Sequence, residues 1–281
     1  MNIAALHSPA AVPRQPGARE PFGMHLRHWR QRRRLSQLDL AQEAEVSTRH
    51  LSYVETGRAA PSREMVLRLA ERLEVPLRER NALLVAAGFA PMYRQRGLDD
   101  PALAAARRAV DLVLKGHEPY PALAVDRHWN LVAHNALVPL LMAGAAPELL
   151  KPPINVLRLS LHPEGIAPKI ANLAQWRAHL LERLLQQVAA TGDATLQALH
   201  DELAAYPVGT PGSESPAGGG ELSSVVVPFQ LVTPGGVLSF ISTTTIFGTP
   251  VDVTLQELAV ESFFPADAET AAALVALAAA A

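Results

Sequence analysis

From Phe22 to Phe89 the apolar residues recur every three or four positions, and each break between runs carries an end signal. The pattern therefore predicts helices near 22–33, 37–44, 48–55, 63–73 and 77–87. Ser36 and Ser47 stand where N-caps are needed, Pro61 and Ser62 open the fourth helix, and Pro76 opens the fifth. Gly57 and Gly88 close the third and fifth. Five short helices of this kind fit one all-α bundle. In APMYRQRGLDDP (90–101) the periodicity is lost, so a domain boundary is expected near residue 97. The first domain is thus 21–97, after a tail at 1–20 expected to be disordered.

In 98–281 the period is mixed. PALAVDRHWNLVAHNA reads as two short strands about an Asp-to-Asn turn, leading into a helix near 135–143. A helix over roughly 168–190 sets Leu173, Trp176, Leu180 and Leu184 on one face, and another follows near 193–205. PVGTPGSESPAGGG (207–220) is Pro, Gly and Ser without an apolar anchor and reads as a flexible loop. Beyond it lie the strand-like runs LSSVVVPFQLVT, GVLSFISTTTIF and TLQELAVESFF, then an alanine-rich helix at about 267–279. The expected class is α+β: a helical bundle, then one five-stranded antiparallel sheet with helices over one face.

Composition narrows the chemistry. The chain of 281 residues is 49% hydrophobic, enough for two cores, and holds no cysteine, so disulfides and thiolate zinc sites are excluded. There is no HExxH and no G-x-S-x-G, and no Lys-Ser/Thr follows the glycines of 207–220. Neither an enzyme, a metal site nor a cofactor is expected. The sequence has no apolar run near the ~18 residues of a membrane span and no signal-peptide centre, which points to the cytoplasm. The net charge of −2 hides an asymmetry. Residues 1–97 hold 16 Arg and no Lys against 9 acids, a net of +7, whereas 98–281 hold 9 basic residues against 18 acids. A basic module meeting a polyanion and an acidic module with another task would explain this, as would a basic domain that is merely soluble.

SQLDLAQEAEVSTRHLSYVETG decides between them. Counting from Gln37, a small residue is fifth (Ala41), an apolar one tenth (Val46), and two more are fifteenth and eighteenth (Leu51, Val54). Ala41 lets two helices cross closely while the other three pin the later helix, leaving Thr48, Arg49, Ser52 and Tyr53 outward where a major groove could take them. Residues 22–73 resemble the repressor-type helix-turn-helix of the XRE family, with a lambda-repressor-like fold. The resemblance implies double-stranded operator DNA as partner and Gln37, Ser47, Thr48, Arg49, Ser52, Tyr53 and Arg58 as contact residues. It also puts Glu45 at a turn position where glycine is common, at a cost of ~1 kcal/mol. RQRRR (30–34) reads equally as a solvated face or a phosphate contact.

In the second half, YPALAVDRHWNLVAHNA, LRLSLHPEGIAPKIANLAQWRAHLL and ESFFPAD resemble the MmyB-like ligand-binding domain of bacterial regulators. That resemblance implies a PAS-like fold over 98–281 and a small apolar ligand of the fatty-acid or acyl-derivative class. Trp129, Leu141, Leu159, Trp176, Leu180, Phe229 and Phe240 are candidate cavity residues, with Arg158 or His162 to meet a carboxylate; core packing explains each apolar residue as well. A homodimer is expected, since one helix-turn-helix makes few base contacts. The alternative is a second half that binds a protein partner and no ligand.

Overall fold

The computed structural model describes residues 21–98, 100–207, 226–248, 250 and 252–280. The tail at 1–20 and the loop at 208–220 lie outside the described residues. The chain forms two compact units, divided between Met92 and Tyr93.

The first unit is five helices: α1 (Phe22–Arg32), α2 (Gln37–Glu43), α3 (Thr48–Glu55), α4 (Arg63–Arg72) and α5 (Leu77–Ala86). Their starts coincide with the polar signals in the sequence. Ser36 and Asp39 form a reciprocal capping box, Ser47 accepts from the His50 amide, and Ser62 accepts from the Met65 amide. Such caps are worth about 1 kcal/mol each. The core gathers Leu26, Trp29, Leu40, Ala41, Leu51, Val54, Val66, Leu69, Leu73 and Leu84. α1 crosses α3 at Gly23, where an added Cβ would lie 2.4 Å from the Glu55 carbonyl oxygen. Glu45 adopts φ +56 in the turn between α2 and α3, so a side chain is carried where glycine is easiest.

The second unit runs α6 (Ala104–Gly116), β1 (Ala122–Val125), β2 (Leu131–His134), α7 (Val138–Leu141), α8 (Val156–Leu161), α9 (Leu173–Thr191), α10 (Ala194–Ala205), β3 (Phe229–Thr233), β4 (Gly236–Ile246), α11 (Val253–Gln256), β5 (Ala259–Pro265) and α12 (Ala268–Ala280). The strands form one antiparallel sheet in the order β2-β1-β5-β4-β3. This is the expected α+β class.

Three features depart from the sequence expectation. Helices cover both faces of the sheet: Leu123 and Val125 of β1 pack with Trp176, Leu180 and Leu184 of α9, while the alternating Ala122 and Ala124 pack with Val110 and Leu114 of α6. All four residues of β1 are buried as a result. The run TLQELAVESFF is a turn of helix before strand β5, because the Asp252 side chain caps the Thr254 amide. Residues 93–97 fall with the second unit: Arg94 bridges Asp252 through the backbone, and Arg96 makes an ion pair with the buried Asp252 carboxylate at 3.2 Å.

Candidate functional site

α3 is held by its apolar face. Leu51 and Val54 are fully buried, and Val46 packs at the edge of the same core. With those positions fixed, the helical period sets Thr48, Arg49, Ser52 and Tyr53 on the other side; Arg49 is exposed and the other three are half-buried. The outward residues are organised around one ring. Arg49 Nε donates to the Tyr53 hydroxyl at 3.1 Å, and its guanidinium lies 5.4 Å from the ring centre. Arg58 approaches the same ring at 6.0 Å. Arg58 gets there because Gly57, at φ +74, turns the chain so that the Arg58 amide donates back to the Tyr53 carbonyl at 2.8 Å.

Gln37 sits apart from that ring. Its amide donates to Glu55 at 2.7 Å, and Glu55 is also held by Arg30 at 2.6 and 3.0 Å. Burial would raise the Glu55 carboxyl, but the hydrogen bonds from Arg30 and Gln37 and the charges of Arg30 and Arg27 leave it below its ordinary value. RQRRR is largely structural. Arg30 holds Glu55, Arg33 donates to the Leu73 and Glu74 carbonyls beyond α4, and Arg32 lies over Trp29.

In the second unit an apolar cavity of about 90 Å³ opens between α9, the short helices α7 and α8, and the sheet. Of the expected residues, Trp129, Leu141, Leu159, Trp176, Leu180 and Phe229 line it. Phe240 does not: it is fully buried and stacks on Phe229, with ring centres 5.8 Å apart. Arg158 and His162 are not among the lining residues either, which corrects their assignment as carboxylate partners. Arg158 makes two hydrogen bonds to Glu202 at 2.6 and 2.7 Å. His162 rests edge-on against Tyr206 at 5.0 Å and accepts from the Glu164 amide at 3.0 Å. The Glu202 carboxyl, hydrogen-bonded by Arg158, is drawn down to about 2, and burial beside Glu202 pushes the Tyr206 hydroxyl up to about 12. That cluster ties α8 to α10.

Known families account for both units. A helix-turn-helix domain model matches residues 21–83, and a model of the MmyB-like transcription regulator ligand binding domain matches residues 106–277. The chain belongs to the MmyB-like transcription regulators. No curated protein matches it. The MmyB-like regulator thus joins a DNA-binding head to a ligand-binding domain, and both matched families are regulatory.

What the sequence left unfound in this MmyB-like regulator is the polar end of its cavity, Arg183 and Glu261. Arg183 Nη2 and Nη1 donate to Glu261 at 2.6 and 3.1 Å, and the guanidinium lies 4.6 Å from the Trp129 ring centre. Trp129 itself adopts φ +66, a costly conformation for a bulky residue, and its indole N–H donates to Gln187 at 2.8 Å. Two signals were available. Arg183 stands seven residues after Trp176 on the Leu180 face of α9, and Glu261 alternates with Ala259 and Phe263 on the inward face of β5. Among the described residues no His, Asp or Glu cluster is arranged to hold a metal, and no helix is long and apolar enough to cross a membrane.

Proposed function

We propose that this protein is a cytoplasmic, dimeric regulator that reads a near-palindromic operator through the outward face of α3 and is controlled by a small apolar molecule held in the cavity of its second unit. The supporting observation for DNA reading is the Arg49–Tyr53–Arg58 group on a helix pinned by Leu51 and Val54. Arg49 takes the base-reading role, since a guanidinium can meet two acceptors on a guanine edge. Arg58, beyond the helix end, takes a phosphate. Thr48 and Ser52 complete the reading face, Ser47 offers a helix N-terminus to the backbone, and Gln37 acts beside it from α2.

The division of labour is measurable. Arg49→Ala should cost about 1–3 kcal/mol on the preferred sequence and relax preference at one position, whereas Arg58→Ala should weaken all sequences alike and lower the salt slope by about 1. Footprints should protect two half-sites about one helical turn apart. Equal loss of specificity in both variants, or protection of a single half-site by a monomer, overturns the reading.

For the ligand, the supporting observation is an apolar cavity lined by Trp129, Trp176 and Phe229. The cavity measures about 90 Å³. A short acyl derivative fits that size. Control of DNA affinity follows if the ligand binds two arrangements of the dimer unequally.

A further inference from the structure

The polar end of the cavity is electrically closed. Arg183 meets Glu261 through two hydrogen bonds at 2.6 and 3.1 Å, and its Nη2 also donates to the Thr244 hydroxyl at 2.6 Å. The Thr244 hydroxyl in turn donates to Glu261 at 2.8 Å, so the three side chains form a ring. Glu261 is almost fully buried, its side chain 5% exposed, and the Arg183 side chain is 22% exposed. Ser160, the other polar lining residue, accepts the Trp176 indole N–H at 3.1 Å. Beyond these the lining is apolar, so the wall contains one positive and one negative side chain, which cancel.

A carboxylate entering that space has two options, and both are unfavourable. It can take Arg183 for itself, leaving the Glu261 carboxylate buried without its cation. Otherwise it lies unpaired beside Glu261, with like charges close together in an apolar surround. An uncharged head such as an amide, ester or alcohol leaves the ring intact and still finds hydrogen-bonding groups there. We propose that the cavity takes an uncharged apolar molecule with a single hydrogen-bonding head and rejects the matching carboxylate, Glu261 being the residue that imposes the choice. This rests on the cavity being the ligand site. It departs from the acid group that Arg158 and His162 would have met, because neither residue lines the cavity.

Hexanoate and hexanamide make the test, because they match in shape and differ in charge near neutral pH. Each is titrated into the full-length protein while the indole N–H signals are followed by NMR. Trp129 and Trp176 line the cavity, and Trp29, in the first unit, serves as the internal control. Hexanamide should shift the Trp129 and Trp176 signals with an affinity at least about tenfold above that of hexanoate, as the cost of an unpaired buried charge requires. In Glu261→Gln the gap should close or invert, since Arg183 then has a positive charge to offer. Equal or tighter binding of hexanoate to the natural protein overturns the charge choice and leaves the cavity standing as a site. A folded Glu261→Gln variant that keeps the original preference overturns the role of Glu261. Failure of both compounds to move either cavity indole overturns the choice and the ligand reading together. If the variant does not fold, the comparison on the natural protein decides.

Discussion

The helical bundle carries its candidate DNA-contact residues on the solvent side of α3, above a leucine and a valine buried in the core, whereas the sheet domain opens its cavity inside the core itself. Leu51 and Val54 are buried in the bundle core. Trp176, Leu180 and Phe229, by contrast, belong both to the main core cluster and to the cavity wall. In the bundle, stability and recognition can be altered separately. In the sheet domain, truncating a wall residue changes both at once, so a polar exchange of equal shape at Glu261 is a cleaner probe than any alanine.

The strongest way to break this comparison is Phe240→Ala. The ring is fully buried under Phe229 and outside the cavity lining, so its loss should cost about 3–5 kcal/mol. In calorimetry only the unfolding step of the sheet domain should move; a matching fall in the bundle step would show that the two cores do not unfold separately. Next is Glu55→Gln, which keeps the shape but removes the charge held by Arg30 and Gln37. Hydrogen bonds to charged groups suggest about 2 kcal/mol, confined to the bundle step.

The smallest expected effect is on pH dependence. The Glu202 carboxyl lies at about 2 in the folded protein against an ordinary 4.5, so its contribution is fully present above pH 4.5 and is lost as pH falls from there toward 2. Its side chain is 38% exposed, which holds the contribution below about 1 kcal/mol. Glu202→Gln should flatten the acid limb of the sheet-domain step by that amount, as read by acid titration of the thermal transition.

Legibility in the sequence follows the same division. Each bundle helix announces itself through local chemistry, a serine or proline at its start and, after α3 and α5, a glycine at φ above +70. The outward set on α3 follows from the period once Leu51 and Val54 are assigned inward. In the sheet domain the strands and α9 were equally plain, but α6 and α8 were missed. AAARRAVDLVLKG buries Val110 and Leu114, one helical turn apart, so its inward face was legible in the period although the helix was not assigned. At the cavity, aromatic residues could be nominated from size alone, whereas the pairing of Arg183 with Glu261 joins positions on α9 and β5 that no local spacing relates. Arg158, a sequence candidate for meeting a carboxylate, gives its charge to Glu202 of α10.

The strand order has a consequence in time. β1 lies between β2, its neighbour in sequence, and β5, near the end of the chain, with Val125 paired to Ala259. The middle of the sheet therefore cannot close until almost the whole chain is available, and contacts this far apart in sequence form slowly. The bundle, whose helices pack on near neighbours, can be complete while the second unit is still being synthesised. During that interval the apolar faces of β1 and α9 have no β5 to cover them, which makes nascent chains ending before Ala259 the form most prone to aggregate.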